Sequence, residues 1–242
     1  MSVVIKENEI IFNWFQDDYE ISFEKLIESF EGEIDQDIRL FDIRLQMALS
    51  TNITFNPGFR YTNTDTSKDV SRLTLKLSNV WFSYESLLKA YDNSSLLTNR
   101  SKTTSLSEDI LDELLGEYHF DIITKSFRQY HSDNIHCNSK FREDSQRYID
   151  YLTSGATSNS QKRALHRIFN IFTNNEDMAI NDVLSLVYAV RNQYVHSGES
   201  PKSGVKYFST KIEVLKNAHD FLVLICLRLA TLLIDKRLAS VE

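Results

Sequence analysis

Residues 73–91, with the sequence LTLKLSNVWFSYESLLKAY, decide the fold class of this chain. Large apolar side chains recur in this stretch at alternating intervals of four and three residues, which is the spacing of one face of an α-helix. A helix with such a stripe must bury it against other helices, so the stretch predicts one member of a helical bundle. The stripe consists of Leu73, Leu77, Val80, Tyr84, Leu87 and Tyr91.

The remainder of the chain also favours helices. The 242 residues contain 6 Gly and 2 Pro, whereas a fold of many short strands would need more turn residues. We therefore predict an all-α, up-and-down helical bundle over residues 66–242. Residues 1–65 are predicted to be a small N-terminal extension, in which a short helix at 22–30 could accompany short strands at 3–5 and 10–12. Further helical patterns occur at 34–49, 105–127, 141–152, 161–172, 181–196 and 210–238.

Charge and cysteine content narrow the class of protein. The formal charge of −7 argues against a protein that coats nucleic acid through a general basic surface, but not against an enzyme with a small cleft. Cys137 and Cys226 provide no disulfide framework, and the sequence starts without a signal peptide, so we expect a cytoplasmic protein. The most apolar run, 221–234, is too short to span a bilayer, and we expect no membrane association.

The stretch with the clearest chemical meaning is Arg191-Asn192-Gln193-Tyr194-Val195-His196, which ends an apolar helical run and precedes Ser197-Gly198. Arginine is a permanent cation with planar donors, and histidine exchanges a proton near neutral pH. RNA cleavage without a metal needs both, because charge on the phosphorus must be stabilised and protons must be moved. On a regular helix Arg191 and His196 would project about 140° apart. The two side chains can therefore act together only if the long arginine reaches around the helix, or if His196 lies at the helix end.

This stretch resembles the signature of the HEPN superfamily, in which an arginine, usually followed by a polar residue, precedes a histidine by four to six intervening positions. The His-Ser-Gly continuation is similar to the Apea-like and related bacterial HEPN groups. A looser similarity, to an early bundle helix of these proteins, covers residues 79–85. The resemblance extends over about residues 70–238 and leaves 1–65 outside it. It implies a metal-independent endoribonuclease that cleaves RNA by 2′-hydroxyl attack in a toxin or antiviral-defence role.

The resemblance also implies the roles of individual residues and the partners. Arg191 would stabilise the charge on the phosphate, His196 would act as general acid and base, and Asn192 would orient the phosphate or the histidine. The active site would be composite, formed where two copies of the chain meet in a homodimer. The expected partners are an RNA substrate and an antitoxin or sensor protein. No cofactor is expected.

Several other residues are candidates for contact with RNA. Tyr194 could stack on a base, although a tyrosine at a helix end is more often partly buried by packing. Three lysines follow the motif closely in sequence and are therefore better candidates than a basic cluster farther upstream, which is more typical of a solvated helix face. The lysines are Lys202, Lys206 and Lys211, and the cluster consists of Lys162, Arg163, His166 and Arg167.

Two further sets of side chains have the chemistry of a functional site. Glu85 could reach the arginine of the motif, or could be an ordinary boundary glutamate. A second group has metal-ligating side chains, but its spacing fits no standard zinc pattern, and we predict no metal site. The members of that group are His119, His131, His136 and Cys137.

The motif leaves alternatives to catalysis open. The same fold could be a catalytically inactive HEPN-like module that binds RNA or a nucleotide, and the acidic charge of the chain favours this alternative mildly. It could also be an interaction scaffold in which the last apolar helix mediates dimerisation. Cleavage of RNA separates the enzyme from both alternatives, and loss of RNA binding on Arg191→Ala separates the binding module from the scaffold.

Overall fold

The computed structural model describes residues 3–30, 35–56, 65–93, 102–103, 106, 110, 139–174, 176 and 178–240. These residues form helices and contain no strand, which confirms the predicted all-α bundle. The helix predicted at 105–127 lies almost entirely outside the described residues. In chain order the helices are α1 (Val3–Ser29), α2 (Gln36–Ser50), α3 (Asp65–Asn93), α4 (Ser139–Gly155), α5 (Asn159–Asn174), α6 (Ile180–Ser197) and α7 (Phe208–Leu238).

The expectation of short strands near the N-terminus is wrong. Residues 3–5 and 10–12 both lie within α1, which continues to Ser29. The β-branched residues among them lower helix propensity only slightly and are therefore compatible with a long helix. Phe15, Tyr19 and Leu26 form part of the buried face of α1.

Helix α3 occupies the centre of the bundle, in contact with α2, α6 and α7. The stripe predicted from its sequence is buried as expected, apart from Leu73, which is partly buried. The Tyr91 hydroxyl donates a hydrogen bond of 2.7 Å to the carbonyl oxygen of Leu229, which ties α3 to α7. Helix α3 therefore supports α2 as well as α6.

Helices α1 and α2 belong to the same hydrophobic core as the helices that follow them. Helix α1 packs on α7, where Ser22 Oγ donates to Asp235 Oδ1 at 2.9 Å. Helix α2 packs on α3, and Tyr19 Oη donates to Asp42 Oδ1 at 2.8 Å, linking α1 to α2. The division of the chain at residue 65 stays a prediction, but α1 and α2 contribute to the core that positions α3.

Helix α7 is the most deeply buried element, and every residue from 221 to 234 is buried. Arg228 interrupts the apolar run and is 9% exposed. In the part of the chain that the structure describes, none of the helices combines the length and apolarity needed to cross a bilayer.

Candidate active site

The Arg191–His196 stretch forms about the last two turns of α6. The helix ends at Ser197, and Gly198 adopts the left-handed conformation with φ 62° and ψ 48°. Its backbone N–H donates to the Tyr194 carbonyl oxygen at 3.2 Å, as in the glycine caps that end many helices. The predicted helix stop is therefore present, and His196 is exposed on the last turn of the helix.

Arg191 is held by one residue of α3 and by its own neighbour. Its guanidinium carbon lies 5.1 Å from the centroid of the Phe82 ring, a distance suited to a cation–π interaction. Its Nη1 donates to Asn192 Oδ1 at 3.0 Å. The Nε atom is buried and has no hydrogen-bond partner among the residues that the structure describes. Asn192 thus orients the arginine, a contact that the sequence interpretation did not include.

Arg191 and His196 project to different sides of α6. Asp182, in the first turn of α6, forms an ion pair of 3.1 Å with Arg167 of α5 and so marks the side of α6 that faces α5. Nine residues later, Arg191 points about 180° away from Asp182, towards α3, whereas His196 lies about 40° from the direction of Asp182. Between the two in sequence is Val195, whose side chain is apolar and 44% exposed.

Gln193 is the buried residue of the motif and fixes α6 to α4. Its Nε2 donates to the hydroxyl of Tyr151 at 3.0 Å. The side-chain amide also lies against Gly155, where an added Cβ would be 2.0 Å from Gln193 Oε1. The sequence interpretation did not single out Gln193, since a glutamine near a helix end is usually solvated.

A buried ion pair anchors the loop that follows the motif. Lys211 and Glu199 have side chains that are 1% and 2% exposed, and Lys211 Nζ donates to the Glu199 carboxylate and, at 3.0 Å, to the Ser203 carbonyl oxygen. The ammonium also lies 4.8 Å from the centroid of the Tyr148 ring. Burial lowers the pKa of Lys211 and raises the pKa of Glu199, and the attraction between the two charges opposes both shifts.

The burial of Lys211 corrects one prediction. Lys211 was a candidate for contact with RNA because it follows the motif closely in sequence. Its ammonium is instead enclosed by Glu199, backbone carbonyls and an aromatic ring, so it cannot reach a phosphate. A lysine in the first turn of a helix is usually solvated, and only the buried glutamate explains why this one is not.

Asp144 of α4 holds the other end of the same loop. Its two carboxylate oxygens accept hydrogen bonds from the backbone N–H groups of Lys206, at 2.5 Å, and Tyr207, at 2.9 Å. These groups precede α7, where unpaired N–H donors need an acceptor. Gly204 completes the anchoring, with φ 75° and a position so close to the Tyr151 ring that an added Cβ would lie 2.7 Å from it. The segment between His196 and α7 is therefore fixed at both ends.

The predicted RNA contacts fall into two groups. Lys202 and Lys206 are exposed on the loop after the motif, and Tyr194 is half-buried within the motif, so these three lie at the end of α6. Arg163 and Arg167 are exposed on α5. Arg167 contacts the first turn of α6, which is about 21 Å along the helix from His196 at 1.5 Å per residue. The structure does not bring this second group to the motif itself.

The remaining candidates do not add a ligand to the site. Glu85 Oε1 accepts hydrogen bonds from Trp81 Nε1, at 3.0 Å, and from Lys102 Nζ, at 2.5 Å, so the carboxylate is engaged on the surface of α3. Within the described ranges, no group of three or more His, Cys, Asp or Glu side chains could hold a metal ion. The histidines and the cysteine of the weak metal pattern, His119, His131, His136 and Cys137, lie outside those ranges.

Comparison with known proteins adds no family to these observations. No family model matches the chain, and no curated protein or solved structure matches it significantly. The resemblance to the HEPN superfamily therefore stays a prediction that rests on the motif residues.

Proposed function

We propose that this protein is a metal-independent endoribonuclease of the HEPN type, with Arg191 and His196 as its catalytic residues. The observation that carries the proposal is the arrangement at the end of α6. A cation is held in one orientation by Phe82 and Asn192, and a histidine is exposed five residues later on a capped helix end. A fixed cation and an accessible proton carrier are what cleavage of a phosphodiester requires.

The reaction would use the 2′-hydroxyl of the RNA as nucleophile. The bond from the 2′-oxygen to phosphorus forms while the bond from phosphorus to the 5′-oxygen breaks. One histidine accepts the proton of the 2′-hydroxyl, and a histidine on the other side of the phosphorus donates a proton to the departing 5′-oxygen. The arginine neutralises the charge on the non-bridging oxygens. The products are a 2′,3′-cyclic phosphate and a 5′-hydroxyl.

Two copies of the chain would complete this site. Arg191 and His196 of one chain diverge by about 140°, so one motif is poorly placed to surround a single phosphate. In a symmetric pair each surface patch faces its own copy, which supplies two histidines and two arginines. The exposed Val195 between them would be buried in such a contact. A toxin or antiviral-defence role, with an antitoxin or sensor protein as regulator, follows from the family resemblance.

The proposal is tested by incubating purified protein with total cellular RNA in the presence of EDTA and analysing the fragment ends. Wild type should produce fragments with 2′,3′-cyclic phosphate and 5′-hydroxyl ends, and His196→Ala should produce none. Ser197→Ala is the matched control, because Ser197 is the exposed neighbour of His196 on the same turn. It should cleave as wild type does.

Equal cleavage by wild type and His196→Ala would refute the assigned mechanism. Binding of RNA by wild type without cleavage would instead support the second candidate function, an inactive HEPN-like binding module. The observation that favours this candidate is the divergence of Arg191 and His196 by about 140° on α6, because one chain then offers the arginine to a phosphate without the histidine beside it. Loss of RNA binding on Arg191→Ala would then distinguish a binding module from a scaffold.

A further inference from the structure

Helix α5 has a charge composition unlike that of the chain as a whole. The chain carries a formal charge of −7, yet the 16 residues of α5, NSQKRALHRIFNIFTN, include no Asp or Glu. Its basic residues, together called the α5 basic face, are all exposed. They are Lys162, Arg163, His166 and Arg167.

The basic side chains share one side of α5. At 100° per residue the four positions cover an arc of about 140°, and the remaining exposed positions on this side are polar and uncharged. Leu165, Ile168 and Phe172 project from the opposite side into the core. The basic face is therefore presented to solvent by a helix that is anchored from behind.

The position of α5 relates this face to the motif. The connection 175–179 is short, which makes α5 and α6 antiparallel neighbours. The ion pair between Arg167 and Asp182 places these two residues at about the same height along the helix axes. Arg163, one turn before Arg167, then lies about 15 Å along the helix axis from His196. His196 projects within about 40° of the side of α6 that faces α5. The face and the histidine thus border the same side of the bundle, while Arg191 points towards α3.

We infer that the α5 basic face binds the phosphates of single-stranded RNA and leads the strand to His196. The inference rests on the proposed function for the identity of the polyanion. A separation of 15 Å corresponds to roughly four nucleotides of a stacked strand at 3.4 Å each. Proteins that bind double-stranded RNA contact about 16 base pairs, whereas α5 is about 24 Å long, so a single strand fits this face better.

Binding can be measured apart from cleavage in the His196→Ala background. Fluorescence anisotropy with a labelled single-stranded RNA of about 12 nucleotides would compare two charge-matched double substitutions. The first is Lys162→Glu/Arg163→Glu on α5. The control is Lys25→Glu/Lys216→Glu, which changes the net charge equally at exposed positions of α1 and α7. Lys162 ends the first turn of α5 and Arg163 begins the second, so glutamates there lie near the positive end of the helix dipole, and circular dichroism should show an intact fold.

We expect the α5 substitutions to weaken binding about tenfold at low salt and to reduce the salt slope by about 1.4, since each lost phosphate contact contributes about 0.7. The control pair should leave both the affinity and the salt slope close to those of the His196→Ala parent. Equal weakening by the two pairs, or no binding of this RNA at all, would overturn the inference. Cleavage by the protein with His196 intact reports separately on the proposed function. RNA that is bound but not cleaved would refute the proposed endoribonuclease activity without contradicting RNA binding by the α5 basic face.

Discussion

Phe82 supports Arg191 from a different helix, with 5.1 Å between the centroid of its ring and the guanidinium carbon. The turn of α3 that carries Phe82 also contacts α2. Arg44 Nη1 donates to the Phe82 carbonyl oxygen at 3.3 Å and to Ser86 Oγ at 2.5 Å. The N-terminal region, which lies outside the family resemblance, thus contributes to the placement of the arginine on α6.

Replacing Phe82 by leucine should therefore lower cleavage without unfolding the bundle. Leucine keeps an apolar side chain but removes the cation–π interaction, worth about 0.5–2 kcal/mol, which leaves Arg191 free to move. We expect the cleavage rate to fall about threefold to tenfold, while the melting temperature changes little. Phe82→Tyr keeps the ring and should cleave as wild type. Unchanged cleavage by Phe82→Leu would mean that the ring does not position the arginine.

If two chains share one active site, inactive chains should inhibit active chains by pairing with them. Wild type mixed with about a tenfold excess of His196→Ala should lose about tenfold in activity per wild-type chain, because most wild-type chains would pair with an inactive copy. The activity is measured after the subunits have exchanged, with RNA in excess. The double variant Val195→Asp/His196→Ala should not inhibit, since a charge at Val195 would prevent the pairing. Activity that stays proportional to the amount of wild-type chain in both mixtures would contradict a shared site.

Lys211→Met should be strongly destabilising, by about 3–5 kcal/mol near neutral pH, because it leaves the carboxylate of Glu199 buried without its cation. The destabilisation should depend on pH. Burial raises the pKa of Glu199 above its unfolded value, so the folded state holds its proton more tightly than the unfolded state. Stability from this group is present below the unfolded pKa and is lost as the pH rises through the folded pKa.

Urea unfolding of Lys211→Met at pH 5 and pH 7.5 checks this prediction, and the variant should be closer to wild type at the lower pH. Lys216→Met on the same helix removes an exposed lysine and should change the free energy of unfolding by less than about 0.5 kcal/mol at either pH. If Lys211→Met lowers the free energy of unfolding equally at pH 5 and pH 7.5, Glu199 is not a buried carboxylate that lacks its cation.

The two glycines of the loop should respond differently to alanine. Gly198 has φ 62°, and no atom of the described residues lies within 4 Å of where its Cβ would be, so Gly198→Ala should cost about 1 kcal/mol from the left-handed conformation alone. Gly204 has φ 75° and the Tyr151 ring where a Cβ would lie, so Gly204→Ala should cost about 2–4 kcal/mol. Thermal unfolding of both variants measures the difference, and equal losses would rule out a steric role for Tyr151.

The helices could be predicted from sequence wherever an apolar stripe was long and regular. The stripe from Leu77 to Tyr91 corresponds to the buried face of α3, because helical periodicity is a local property of the chain. The strands expected at 3–5 and 10–12 were wrong, because short apolar runs do not distinguish a strand from a helix. Both runs lie within α1, which packs on α7.

The candidate site was only partly visible in the sequence. Arg191, Asn192 and His196 were predicted as site residues from the resemblance to a family signature, and the helix stop was predicted from Gly198, which does end α6. The supporting residues could not be predicted, since Phe82, Asp144 and Lys211 are distant from the motif in sequence or have the appearance of ordinary surface residues. Contacts between distant segments follow from how the helices pack, which no local pattern encodes.

The sequence by itself therefore determined the helical fold class, the position of the Arg–His motif and the end of the helix that carries it, because periodicity, spacing and glycine conformation act over a few residues. Only the tertiary structure decided that Arg191 is held by α3, that His196 is exposed towards the side of α5, and that Lys211 is buried with Glu199. These outcomes depend on which helix faces are buried together, and the free energy of burial is a property of the assembled core.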